Sequence, residues 1–113
     1  MGDLTAAGSL AQRSLVLAVE LTMAAEEAQA RRVVGQIALA AGHLDAAHAE
    51  LEQSRAALAQ LDSRYDLAKT RYHQARLAIA QGDTVALAAS RADAETIFAE
   101  LDAQRDLALV RGL

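Results

Sequence analysis

The chain has 113 residues, 53% hydrophobic but only 3% aromatic, with 29 alanines, no proline and no cysteine. That length suits one domain with a modest core of Ala, Leu, Val and Ile, and the cysteine count excludes disulfides and thiolate metal sites. A net charge of −4 argues against a generic nucleic-acid binder.

Ala, Leu, Glu, Gln and Arg are strong helix formers, so the expected fold class is all-α. The first helix carries a small or apolar stripe at Leu4, Ala7, Ala11, Ser14, Ala18 and Leu21, in steps of three and four that keep one helical face buried. "LTMAAEE" reads as a break, followed by a second helix over 26–41. Gly42 sits just past it and suits a left-handed C-cap turn. The next stripe is Leu44, Ala47, Leu51, Ser54, Leu58 and Leu61; "LDSRYD" then breaks the chain, with Ser63 as N-cap and Asp66 in the first turn of a helix over 66–81. Gly82 closes that helix and Asp83 starts another, with Thr84, Leu87, Arg91, Ala94, Phe98 and Leu101 as its stripe. After "LDAQRD" a short helix covers 105–112. The expectation is about six antiparallel helices, each too short to be stable alone.

The chain also repeats itself. Residues 42–73 and 82–113 align without a gap and share Gly42/Gly82, Ala46/Ala86, Ala49/Ala89, Ala59/Ala99, Leu61/Leu101, Asp62/Asp102, Asp66/Asp106, Leu67/Leu107, Ala68/Ala108 and Arg71/Arg111. One further step back reaches Gly2, Leu4, Ala6 and Ala7. Residues 1–113 therefore form a single helical-repeat domain of units 2–41, 42–81 and 82–113, the last truncated. A fixed period of this size marks stacked supersecondary units.

Gly35 stands where two helices of a pair would cross, Gly42 follows at the turn, and Ala47, Leu51 and Ser54 come next; Ala75 takes the place of Gly35, and Gly82, Ala86 and Ala94 continue the spacing. This pattern resembles the tetratricopeptide (TPR) repeat, in a forty-residue variant like that of bacterial signalling ATPases, transcriptional activators and nucleotide cyclases. The usual repeat is 34 residues, its large aromatic is replaced here by Arg31 and Arg71, and its helix-ending proline is missing. The resemblance implies a TPR-like α-solenoid acting as a protein–protein interaction scaffold. It places a concave, partner-binding groove along Gln29, Arg32, Gln36 and Leu39, then Lys69, Tyr72, Arg76 and Ile79, with Leu109 beyond. Arg32, Lys69 and Arg76 would make that groove basic, suited to an acidic peptide or a free carboxylate. Ordinary solvated helix residues are the plainer reading.

Arg31, Arg71 and Arg111 are equivalent across the units, as are Glu26, Asp66 and Asp106; inter-repeat ion pairing is favoured over an anion-reading ladder. His48 and Glu52, with His43 and Asp45 nearby, are too few for a metal site, and His73 lies on another helix. No GxxxxGK[ST], GxSxG or GxGxxG is present, so neither an enzyme nor a cofactor is expected. No apolar run reaches the ~18 residues of a membrane span, and MGDLTAAGSLAQR lacks the regions of a secretory signal, so membrane partners are not expected and a cytoplasmic location is. Two other functional readings stand beside the scaffold: a regulatory segment of a larger bacterial signalling or transcription-regulating protein, and a self-associating structural bundle. Leu107, Leu109, Val110 and Leu113 on an uncapped last helix predict a homodimer through an exposed solenoid end.

Overall fold

Left-handed backbone residues punctuate the chain at every twentieth position: Gly42 (φ 80°), Asp62 (φ 54°), Gly82 (φ 71°) and Asp102 (φ 54°). Each closes a helix in the same way. The Gly42 N–H donates to the Leu39 carbonyl and the His43 N–H to the Ala38 carbonyl, and the pattern recurs at 62/63, 82/83 and 102/103. These are Schellman caps, which consume carbonyls a helix end would otherwise leave bare. The forty-residue period thus divides into two twenty-residue steps of helix plus turn.

In the computed structural model, backbone is described for residues 2–113 and side chains from Arg13 on, except those of Ser14, Leu15 and Ala18. The described residues form five helices: α1 (Gly2–Ala40), α2 (Leu44–Gln60), α3 (Arg64–Gln81), α4 (Thr84–Glu100) and α5 (Gln104–Arg111). The fold class is all-α.

The expected sixth helix is absent, because the break at "LTMAAEE" does not occur and the pair over 2–41 is one continuous helix. The reason lies at position 22, twenty residues before Gly42. Asp62 and Asp102 tolerate the left-handed region; Thr22, branched at Cβ, does not. Without Gly or Asp there, the helix formers Met23, Ala24, Ala25 and Glu26 carry it straight through. Helix starts also differ in detail. Asp83 caps α4, its Oδ1 accepting from the Ala86 N–H at 3.0 Å, whereas Ser63 occupies the N-cap of α3 without a side-chain cap bond.

Turns of two or three residues force consecutive helices to pack as antiparallel neighbours. α1 also touches α3 directly, and the Tyr65 hydroxyl of α3 donates to Asp106 Oδ2 of α5 at 2.8 Å. An open hollow lined by Glu52, Arg55, Leu67, Arg71, Asp93, Thr96 and Ile97 lies over α3 between α2 and α4. The odd-numbered helices therefore line one side of the array and the even-numbered helices the other.

Gly35 and Leu51 set the α1–α2 spacing. A Cβ on Gly35 would stand 2.8 Å from Leu51 Cγ, which is itself fully buried. Ala47, Leu51 and Leu77 form one small core cluster with Ala38, Leu39 and Leu44 against it. A second cluster joins Ala68, Ala94, Ile97, Phe98, Leu107 and Val110 across α3, α4 and α5. Between them Ser54 Oγ donates to the Ala28 carbonyl at 2.8 Å and lies 3.2 Å from Thr70 Oγ1. Forty residues on, the same three positions are Ala68, Ala94 and Val110, all buried. The repeat conserves shape but swaps a hydrogen-bonded layer for an apolar one, so no buried hydroxyl is orphaned.

α1 is longer than its neighbours require. At about 1.5 Å per residue its 39 residues run to about 58 Å, close to the 65 Å long axis of the molecule, while α2 has 17 residues to cover it. Val16, Leu17, Val19, Leu21 and Met23 are exposed on the projecting part.

Candidate functional site: the inner face of α1 and α3

Two sets of cations occupy different sides of the array. The set at forty-residue spacing is engaged with carboxylates. Arg31 reaches Glu27 at 3.1 Å and Glu50 of α2 at 3.2 Å; Arg71 holds Asp93 of α4 at 2.9 Å; Arg111 of α5 reaches Glu95 of α4 at 3.2 Å. The two carboxylates hold the Arg31 guanidinium above its ordinary pKa. Arg55 likewise pulls the Glu52 carboxyl below its usual range, and Gln74 Nε2 of α3 donates to the same carboxylate at 3.0 Å. These contacts pin each helix to the next.

The second set lies on the inner side and is not so engaged. Arg32 of α1 and Lys69 and Arg76 of α3 form no ion pair with any described carboxylate. Arg32 is only 9% exposed. Its Nη1 reaches Gln36 Oε1 at a long 3.5 Å, and its Nε, fully buried, has no hydrogen-bond partner. A buried donor left unsatisfied costs about 1–3 kcal/mol, more when charged, so Arg32 is an expensive residue in the molecule as it stands.

His73 lies within this set. It is 8% exposed, and Arg76 Nη1 stands 3.3 Å from its Nδ1. A guanidinium can only donate, so Nδ1 accepts and the ring is the neutral Nε2–H tautomer. Burial first, then the charges of Arg76, Arg32 and Lys69, push the imidazole down to about 4. Tyr72 stacks edge-on against the ring at 5.0 Å. Lys69, Tyr72, His73, Phe98, Asp106 and Leu109 line a cavity of about 220 Å³ between α3 and α5, and the Lys69 Nζ lies 5.4 Å from the centre of the Tyr65 ring.

The positions expected to line a groove fall into separate groups. Arg32, Lys69, Tyr72 and Arg76 gather around His73, and Gln36 accepts from Arg32 Nη1. Gln29 donates to Asp66 Oδ2 at 3.2 Å and so ties α1 to α3. Leu39 packs against the Ala47, Leu51 and Leu77 cluster, Tyr72 half-buries against the Phe98 cluster, and Ile79 is exposed. Gly35, Ala47 and Ala75 are buried, Gly35 against Leu51 where α1 meets α2, and Gly42 and Gly82 make the turns. His73 was missed as a site residue. Its only sequence signal is its placement one residue after Tyr72 and three before Arg76, and that gains meaning only once α1 and α5 close over it.

The hollow on the outer side is larger, about 560 Å³, but its cations Arg55 and Arg71 already hold Glu52 and Asp93. Among the described residues, no group of three or more His, Asp or Glu side chains is gathered as for a metal ion, and no helix is long and apolar enough to cross a membrane. Comparisons with protein-family models, with curated proteins and with solved structures find no match.

Proposed function

We propose that the chain is a protein-interaction module of TPR-like solenoid type whose inner face, built from α1 and α3, takes an extended or helical partner segment carrying acidic residues. The reading treats it as a binder, not an enzyme. One observation carries it: a buried arginine, a lysine and a second arginine cluster without carboxylate partners, while the arginines on the other side of the same helices are paired. An acidic chain that leaves those particular cations uncompensated offers an electrostatic complement for a negatively charged partner. Direct α1–α3 contact, the close α1–α2 crossing at Gly35 and the burial of Ala75 at the equivalent position support the solenoid reading.

Selection from a random-peptide library tests this. Wild type should enrich Asp- and Glu-containing peptides, and an Arg32→Glu, Lys69→Glu, Arg76→Glu variant of unchanged helicity should lose that preference. A control reversing Arg31, Arg71 and Arg111 should retain it wherever it remains folded. Neutral peptides enriched equally by wild type and the inner-face variant would refute the reading.

A second reading is favoured by one further observation. Val16, Val19, Met23, Ala30, Val33 and Ile37 are all exposed along the side of α1 facing away from α2, in steps of three, four and seven, with Ile37 at 65%. That is the spacing of a helix-pairing seam, interrupted at Glu26. It fits self-association through α1 better than through the C-terminal helix, where Leu107 and Val110 are buried within the chain. Sedimentation of wild type against Val33→Glu, Ile37→Glu tests it: a wild-type monomer at high micromolar concentration counts against this reading.

A further inference from the structure

Within the inner face, the unsatisfied Arg32 guanidinium, the Arg76–His73 contact and the small cavity that His73 and Lys69 line point to a specific subsite. We infer that Arg32, His73 and Arg76, with Lys69 at the rim, bind a single carboxylate, and that its binding is coupled to uptake of a proton by His73. This inference rests on the acidic-partner reading above and names the point at which one acidic group is held.

The Arg32 Nε is buried and lacks an acceptor, although the chain around it is packed. Elsewhere on the same guanidinium, Nη1 reaches Gln36 Oε1 only at 3.5 Å, the limit of a hydrogen bond. Arg76 spends a donor on a neutral imidazole at 3.3 Å, a poor use of a guanidinium when a carboxylate can accept two such bonds. The cavity of about 220 Å³ beside His73 has room for one side chain, and Leu109 and Phe98 supply apolar walls for its stem.

The charges facing His73 come from each element around it: Arg32 from α1, Lys69 and Arg76 from α3, and Asp106 from α5, which shares the cavity and accepts from Tyr65. α4 contributes the uncharged Phe98. A carboxylate arriving between Arg32 and Arg76 takes over the Arg76 donor. That frees the Nδ1 lone pair, which takes a proton from bulk water or buffer; His73 becomes cationic with Nδ1–H aimed at the same anion. One negative ligand and one proton enter together, so the site gains no net charge. Affinity therefore rises as pH falls from neutrality to about 5, just above the range in which a carboxylate itself titrates. It falls again at lower pH, once the ligand carboxylate itself takes up a proton.

The test follows His73 by NMR across pH 3.5–8 in sodium acetate and in sodium chloride at equal ionic strength, with the exposed His43 and His48 as internal references. Acetate should raise the His73 pKa by about one unit or more, as an opposite charge at hydrogen-bond distance does, and leave the references unmoved. Arg32→Met and, separately, Arg76→Gln should abolish the acetate effect while keeping native helicity. Identical His73 titrations in acetate and chloride overturn the inference. A short neutral peptide carrying one glutamate distinguishes the source. If it moves His73 at a tenth or less of the acetate concentration, the carboxylate belongs to a partner segment. If it does no better than acetate, the subsite stands for small free carboxylates and the partner-groove reading fails. If it binds the inner face without moving His73, the groove stands and the subsite fails.

Discussion

Arg31 and Arg32 are neighbours in sequence, yet they differ in nearly every physical respect. Arg31 reaches two carboxylates and helps hold α1 to α2. Arg32, about one hundred degrees around the same helix, is buried, lacks an acceptor at Nε and faces a neutral histidine. The contrast repeats on α3, where Arg71 holds Asp93 while Lys69 and Arg76 hold no carboxylate. One set of cations serves the architecture, whereas in the other Arg32 costs it something, and a charge kept at a cost is where function is sought.

The largest way to break this comparison is to move α1 bodily. Gly35→Val places three carbons where one Cβ already meets Leu51 Cγ at 2.8 Å, and Leu51 has nowhere to go. Overpacking of this kind outweighs the helix propensity gained on losing glycine. A loss of about 3 kcal/mol is expected in urea titration, with the Arg31–Glu50 pair broken as α1 is pushed off α2. A cost below about 0.5 kcal/mol would show that the crossing is not the tight contact described.

The next largest is the protonation of His73. Its folded pKa, about 4, lies below its ordinary 6.5, so the imidazole is neutral in the fold. The resulting stability is constant above pH 6.5. It is lost as pH falls from 6.5 towards 4, where the unfolded chain takes up a proton that the fold refuses, and it changes no further below that. The full shift is discounted for the part of the ring that water reaches, which leaves a decline on the order of 2 kcal/mol. Glu52, held below its usual range by Arg55, contributes in the same direction only at the acid end. His73→Gln should flatten the curve between pH 6.5 and 5, read as urea midpoints at each pH. An unchanged slope in that variant would place the proton elsewhere.

Much of the architecture was legible in sequence, because turns and crossings depend on single residues. Gly42, Gly82 and Gly35 announce themselves by what they lack. The equivalence of Asp62 and Asp102 was visible as an identity, but their left-handed backbone was not, so the twenty-residue step inside the forty-residue period stayed hidden. The same gap explains the misplaced break in α1: position 22 was matched by spacing, whereas the turn depends on whether the residue there tolerates φ near +54°. Helical spacing was enough to read Gln29, Arg32 and Gln36, and Lys69, Tyr72 and Arg76, as rows along α1 and α3. Burial of Arg32 and neutrality of His73 were not legible, since both depend on helices brought from far along the chain.

The smaller effects set the two cation sets against each other directly, and their signs should differ. Arg32→Met keeps the apolar stem and removes a desolvated, unsatisfied guanidinium, so it should stabilise the protein by about 1–2 kcal/mol, seen as a rise of several degrees in Tm. Arg71→Met removes a guanidinium whose partner is bonded but largely exposed; it should cost about 0.5–1 kcal/mol, and less in high salt. Arg111→Met should cost least, about 0.3 kcal/mol, because its side chain is 60% exposed at the chain end and its partner is reached at 3.2 Å. The pair Arg71→Met and Arg32→Met is the sharper measurement, because both substitutions remove one charge and leave the same side chain. Any difference between them must therefore come from what surrounds the guanidinium. If both destabilise equally, Arg32 is a structural residue like its neighbour, and the inner face loses its claim to be a site. If Arg32→Met stabilises while Arg71→Met destabilises, the molecule is carrying a charge that its own fold does not need.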